Sequence, residues 1–228
     1  MDILDRTILN VLKLSVPATN KSTYIKIPNN LFGVFVTIHR FTKLTDYPYD
    51  IHGCIGYWDD NYQTVSSKMI YDKIMSVSLD AMYNDNRRTY FPPIETDPRS
   101  SIEINYMQKP LYKIDSVSGL IPDLGIYFNN NKFGLIVHHP NGNRATYLPK
   151  VFEKITWNGI KESLESKAGI SSTNNNNIEF YAYKTKSISR SFIKILSKSR
   201  KTQKKRKIPL NSIYKPPPRG WLLDIKSS

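Results

Sequence analysis

Positive charge in this chain is concentrated at one end, and that division decides how much of it can fold as a neutral globule. Residues 184–228 hold fourteen Lys and Arg against one acid, Asp224, a net +13 in a chain whose total is +14. The preceding 183 residues carry nineteen bases against eighteen acids. A basic surface is therefore an appended segment and not a property of the body, which argues against a nucleic-acid-binding fold throughout. We place a folded domain at residues 1–184 and a basic, partly disordered extension at 185–228. With 39% hydrophobic residues, the first part is long enough for one well-buried core.

Several functional classes fall away at once. No run approaches the roughly 20 consecutive apolar residues of a membrane span. The first residues, Met1 to Arg6, lack the basic and apolar regions of a secretory signal. A soluble protein of the cytoplasm or nucleus, without a membrane partner, is the expectation. Cys54 is the single cysteine, so an intrachain disulfide and a thiolate zinc cluster are both excluded. Neither a glycine-rich dinucleotide fingerprint nor a phosphate-binding loop occurs, and no cofactor is implied.

The periodicity predicts α+β architecture: a mostly antiparallel sheet with flanking helices. Leu4, Ile8, Val11 and Leu12 stand at helical spacing within residues 3–14. Residues 33–41 and 51–58 are strand-like, joined by a connector short enough for an antiparallel hairpin. Val65, Met69, Ile70, Ile74, Val77 and Ala81 mark one broad helical face between residues 64 and 84, with Thr64 as the expected N-cap. Strict alternation over residues 101–107 puts Ile102, Ile104 and Tyr106 on one side and Glu103 and Asn105 on the other. Residues 133–139 and 144–148 flank Asn141-Gly142, a turn pair suited to a hairpin. A further helix is expected over 150–167, interrupted near Gly159 and stopped by Gly169, and a last strand over 178–183.

The most unusual local feature is His52-Gly-Cys-Ile-Gly56, where two glycines flank the cysteine inside a strand. Glycine weakens a strand unless the backbone kinks or something approaches closely. The functional reading puts the Cys54 sulfur at a bend or cleft, with His52 or a distant histidine lowering its pKa; the plainer one is a small residue packed under a helix. On a regular strand His52 and Cys54 share a face. His138 and His139 point to opposite faces, so at most one of them can join such a site, and no spacing supports a metal centre. In Asp85-Asn-Arg-Arg88, just past the strongest helix, a guanidinium can pair with a carboxylate or bind an anion. Either use competes with an ordinary solvated helix end.

The ordered set Gly33-Val-Phe-Val-Thr37, Gly53-Cys-Ile-Gly56, Asp85 with Arg88, Phe91-Pro-Pro93, Gly134-Leu-Ile136, Leu148-Pro149, Trp157 and Lys167-Ala-Gly-Ile170 resembles the AMMECR domain family from about residue 3 to residue 184. Two positions depart from the family pattern: His52 stands where an arginine is usual, and Thr89 and Tyr90 separate Arg88 from Phe91. The resemblance implies a two-lobed α+β domain with the cysteine motif near an interlobe cleft. It also implies a link to Memo-type and radical S-adenosylmethionine proteins, beside which prokaryotic members occur. On this reading Cys54 and His52 are the candidate catalytic residues, and Gly53, Gly56, Arg88, Glu103 and His138 line a binding cleft for a small molecule or a protein partner.

The tail supplies a second candidate site. Lys198, Arg200, Lys201, Lys204, Lys205, Arg206 and Lys207 have the density of a nuclear-localisation signal or of an arm that contacts nucleic-acid phosphates. Two classes of function remain open: a binding or regulatory module localised by this tail, and an enzyme or accessory subunit that uses Cys54.

Overall fold

A computed structural model describes residues 2–12, 27–41, 49–87, 99–152, 154–170 and 177–193. Arg88 and residues 198–207 lie outside the described residues, as do Phe91-Pro-Pro93.

The chain opens with α1 (Ile3–Val11), capped by Asp2, whose carboxylate accepts the Asp5 N–H. Strands β1 (Leu31–Phe41) and β2 (Tyr49–Trp58) pair antiparallel, and α2 (Ser67–Tyr83) follows. Its N-cap is Ser66 and not Thr64: the Val65 N–H still donates to the Leu31 carbonyl at 2.7 Å, which ties that residue to the strand layer. Next come β3 (Ser101–Ile114), a small hairpin of β4 (Leu120–Ile121) and β5 (Ile126–Tyr127), and the hairpin of β6 (Gly134–His138) and β7 (Arg144–Tyr147). Gly142 turns that last hairpin with φ +93°.

The helix α3 (Trp157–Lys167) is shorter than the pattern predicts. Thr156 caps it by accepting the Gly159 N–H, so Gly159 lies in the first turn, and Val151 is left 47% exposed outside the helix. Gly169 ends it in the left-handed region at φ +68°. The last strand, β8 (Glu179–Ser191), runs well past the boundary that charge places at 184. Its far half pairs with β3 from Gln108↔Lys184 to Ser101↔Ser191, so Lys184, Lys186 and Arg190 are sheet residues. Phe192 just beyond is fully buried.

The main sheet has the order β2-β1-β3-β8-β6-β7, every pairing antiparallel. One half packs its outer face on α1 and α2 through Val34, Val36, Ile38, Ile102, Ile104, Ile70 and Ile74. The other packs on α3 through Leu135, Val137, Phe180, Ile160 and Leu164. Two lobes thus share one sheet. A third cluster of Phe32, Met107, Ile136 and Tyr183, with Phe35, Trp58 and Tyr181 against it, fills the inner face where the halves meet.

The sheet curls until its two edges approach. Because all five pairings are antiparallel, strand direction alternates and the edge strands β2 and β7 run antiparallel to each other. Arg144 of β7 forms an ion pair with Asp60, just past β2, and lies 5.2 Å from the Trp58 ring centroid. The seam between these edges is the cleft between the lobes.

Phe192→Ala tests whether the domain extends past residue 184. Emptying a fully buried aromatic site costs about 3–5 kcal/mol, read as a lower urea midpoint; a residue of an appended tail would leave the midpoint unchanged.

Candidate functional site

Cys54 sits on the inner face of the curl at the β2 edge, opposite Thr37 of β1, which in turn is opposite Glu103 of β3. The Thr37 hydroxyl donates to the Cys54 sulfur at 3.2 Å. The two glycines around the cysteine answer to close approach. A Cβ on Gly53 would stand 1.9 Å from the Ala81 carbonyl oxygen of α2, and one on Gly56 would enter the Phe35 ring at 2.3 Å. The neighbours that need the space are therefore the chain's own helix backbone and aromatic ring, and they hold β2 tightly from both faces.

The backbone of Cys54 is clamped as well. Its N–H donates to Asp85 Oδ2 at 2.8 Å, and its carbonyl accepts from the Arg87 guanidinium at 2.8 Å. Asp85 also accepts from Arg87 Nε, Nη2 and backbone N–H at 2.9, 2.6 and 2.9 Å. An acceptor and a donor set side by side stand in for a neighbouring strand at the free edge of the sheet. Burial raises the Asp85 carboxyl, but the Arg87 guanidinium and the N–H groups of Cys54 and Arg87 outweigh it and hold the group at about 2, below the ordinary 3.8.

Across the seam, the Lys167 ammonium at the end of α3 donates to the Thr146 carbonyl of β7 at 2.9 Å and lies 4.5 Å from the Tyr147 ring centroid. The charges of Lys167, Arg87 and Cys54 act on one another across this gap. Burial pushes the thiol of Cys54 up, and the Thr37 hydrogen bond and the Arg87 and Lys167 charges reverse this only in part. Burial and the Arg87 charge also depress the Lys167 ammonium, while Cys54 opposes them. The buried Tyr183 hydroxyl, bonded to Thr146 Oγ1 at 2.9 Å, closes the floor beneath.

The residues named from sequence separate in space. A bulge shifts the β1–β2 register between Ile38↔Gly53 and His39↔Ile51, so His52 is the extra residue and leaves the face that a regular strand would share with Cys54. Its ring is buried and Nε2 donates to the Met82 carbonyl at 3.0 Å. Glu103 lies one strand beyond Thr37, about 10 Å from Cys54 at the usual strand spacing. It bonds His39 Nε2 at 3.2 Å, the largest influence holding its carboxyl low. His138 stands at the Trp58 end of the seam, edge-on to Tyr62.

The sequence pattern singles out Arg88, whereas the described guanidinium at the cysteine belongs to Arg87. The signal was the Asp-x-Arg spacing just past a helix end. Thr37 and Lys167 were visible only as parts of motifs, since nothing local shows that β7 and α3 come round to β2. Among the described residues, no group of three His, Cys, Asp or Glu side chains gathers as for a metal ion, and no helix is long and apolar enough to cross a membrane. A separate pocket of about 270 Å³ opens at the start of α3 among Phe128, Asn130, Phe152, Lys154 and Trp157.

The clamp carries a pH signature. A depressed folded-state pKa contributes stability that is full above the unfolded value of about 3.8 and is lost as pH falls towards about 2. Asp85→Asn should lower stability by about 1–3 kcal/mol near neutral pH. In urea titrations the gap from the parent chain should close as pH drops through that window; a gap independent of pH would show that the Asp85 charge is not what matters.

The AMMECR1 family model matches residues 5–188, from within α1 to within β8 and across both sides of the seam. No curated protein matches the chain.

Proposed function

We propose, for this chain, which belongs to the AMMECR1 family, that the seam beside Cys54 is a ligand-binding site and that the protein is a binding or regulatory module. One observation carries this reading: burial keeps the thiol protonated, while its backbone and sulfur are held by Asp85, Arg87 and Thr37. Cysteine nucleophiles act as thiolates, and their surroundings normally lower the pKa. A rigid, neutral thiol between an aromatic wall of Phe35 and Trp58 and the polar groups Thr37 and Asn105 suits contact with a ligand better than attack on one. The ligand is a small molecule or a segment of a protein partner, and the protein acts in the cytoplasm or nucleus.

The second reading, a Cys54-dependent enzyme or accessory subunit working with Memo-type and radical S-adenosylmethionine proteins, is favoured by one fact. Arg87 and Lys167 both pull the thiol towards its anion. The pH dependence of iodoacetamide alkylation decides between them, because no other thiol interferes. Binding predicts a folded-state reaction with an apparent pKa above the ordinary thiol value of about 8.5. An apparent pKa well below that value would favour the enzyme.

The basic tail adds a separable association with nucleic acid, supported by the eleven Lys and Arg that residues 194–228, beyond β8, carry against the single acid Asp224. Deletion from residue 186 would remove half of β8, so the cleaner variant replaces Lys201, Lys204, Lys205, Arg206 and Lys207 by Gln. Duplex DNA binding should weaken, and the slope of log affinity against log salt should shrink by about 0.9 for each phosphate that is no longer neutralised. Unchanged binding and slope would remove the tail from this role.

A further inference from the structure

The two sheet edges that face each other across the seam are both capped by cations. On β2 the Arg87 guanidinium bonds the Cys54 carbonyl, and on β7 the Lys167 ammonium bonds the Thr146 carbonyl. The contact of Arg144 with Trp58 brings the two edges within reach of one side chain. Since they run antiparallel, β2 read back from Trp58 towards Cys54 runs along β7 read forward from Arg144 towards Thr146. The Arg87 and Lys167 charges that cap these carbonyls both act on the Cys54 thiol, so both caps belong to the stretch of seam beside it.

The charges there are unbalanced. Asp85 answers Arg87, and Asp60 answers Arg144. Among the described residues no carboxylate forms an ion pair with Lys167, whose bonds go to a carbonyl and an aromatic face. Glu103, the acid on the inner face nearest in register, bonds His39 and stands beyond Thr37. The bonds of Arg87 to Asp85 and Cys54 engage Nε, Nη2 and the backbone N–H and leave Nη1 out of that set. The seam thus holds an ammonium with protons to donate, a guanidinium with a second terminal nitrogen, and an S–H on which both charges act.

Resting on the binding reading above, we infer that the seam ligand carries an oxyanion, a phosphate or a carboxylate, that sits between Arg87 and Lys167 with Cys54 against it. An oxyanion accepts from both cations at once and relieves their mutual repulsion. The position beside the thiol also means that an occupied site shields the sulfur from solvent reagents. Free phosphate and the phosphate or carboxylate of a larger molecule share this chemistry, so inorganic phosphate serves as the probe.

The experiment measures iodoacetamide alkylation of Cys54 in the full-length protein by mass spectrometry, with inorganic phosphate titrated at ionic strength held constant by sodium chloride. Phosphate should slow the reaction saturably. Lys167→Gln should raise the phosphate concentration for half-protection by about tenfold or more, as expected for removal of a charge-assisted bond. Lys161→Gln, on the same helix, should leave that concentration unchanged. The midpoint is compared and not the unprotected rate, because Lys167 also acts on the thiol itself. No protection by phosphate, or protection that survives Lys167→Gln, overturns the anion site. If phosphate fails while an uncharged amide such as N-methylacetamide protects, the anion falls and the binding seam stands. If Cys54 reacts only when the protein unfolds, both fall.

Discussion

The pairing of β3 with β8 is the constraint on which the rest of the structure depends. Both strands are long, fourteen and thirteen residues, and each runs through both lobes. Their early and late halves pair with opposite partners, so the ladder joins the lobe under α1 and α2 to the lobe under α3. A shift in this register by one residue would exchange the faces of Ile102, Ile104 and Tyr106 with those of Glu103 and Asn105. It would disturb both cores together. It would also move β6 and β7, which hang from β8, relative to β2, which hangs from β3 through β1. The seam at Cys54 is thus set by a ladder that does not touch it.

Local chemistry showed in the sequence wherever a short-range rule governs. The alternation at residues 101–107, the turn at Gly142 and the stop at Gly169 appear as the pattern indicates, and the buried face of α2 runs through Ile70, Ile74, Val77 and Ala81, while Met69 is left 41% exposed and Val65 precedes the helix. Three features depended on distant partners and were not legible. Ser66 replaces Thr64 as the cap because Val65 is bound to Leu31. The strand β8 extends into a basic stretch because β3 offers a ladder there, and strand formation follows the partner more than the side-chain charge. The bulge at His52 breaks the two-residue period that would pair it with Cys54, and it is a tertiary event at the closest approach of β2 to α2.

The site follows the same division. That Cys54 lies in an unusual setting was plain from its flanking glycines, though their purpose is packing against Ala81 and Phe35. That an arginine stands near the cysteine was visible in outline, since Asp85 follows a helix end and carries Arg87 two residues on. Lys167 is 113 positions from Cys54 in the chain, and only the curl of the sheet brings its charge to bear on the thiol.

The side-chain clamp on β2 has a bearing on how molecules of this protein meet one another. A bare sheet edge offers unpaired N–H and carbonyl groups to any other exposed strand, which makes it a template for self-association. At Cys54 the Asp85 carboxylate and the Arg87 guanidinium already occupy both groups, and at the opposite edge Lys167 occupies the carbonyl of Thr146. The curl keeps the two edges near each other without joining them into a closed barrel, and these polar caps make that open form tolerable in a crowded solution. The side chains that line the seam are thus also the ones that cover the edge groups another strand would need at Cys54 and at the Thr146 carbonyl.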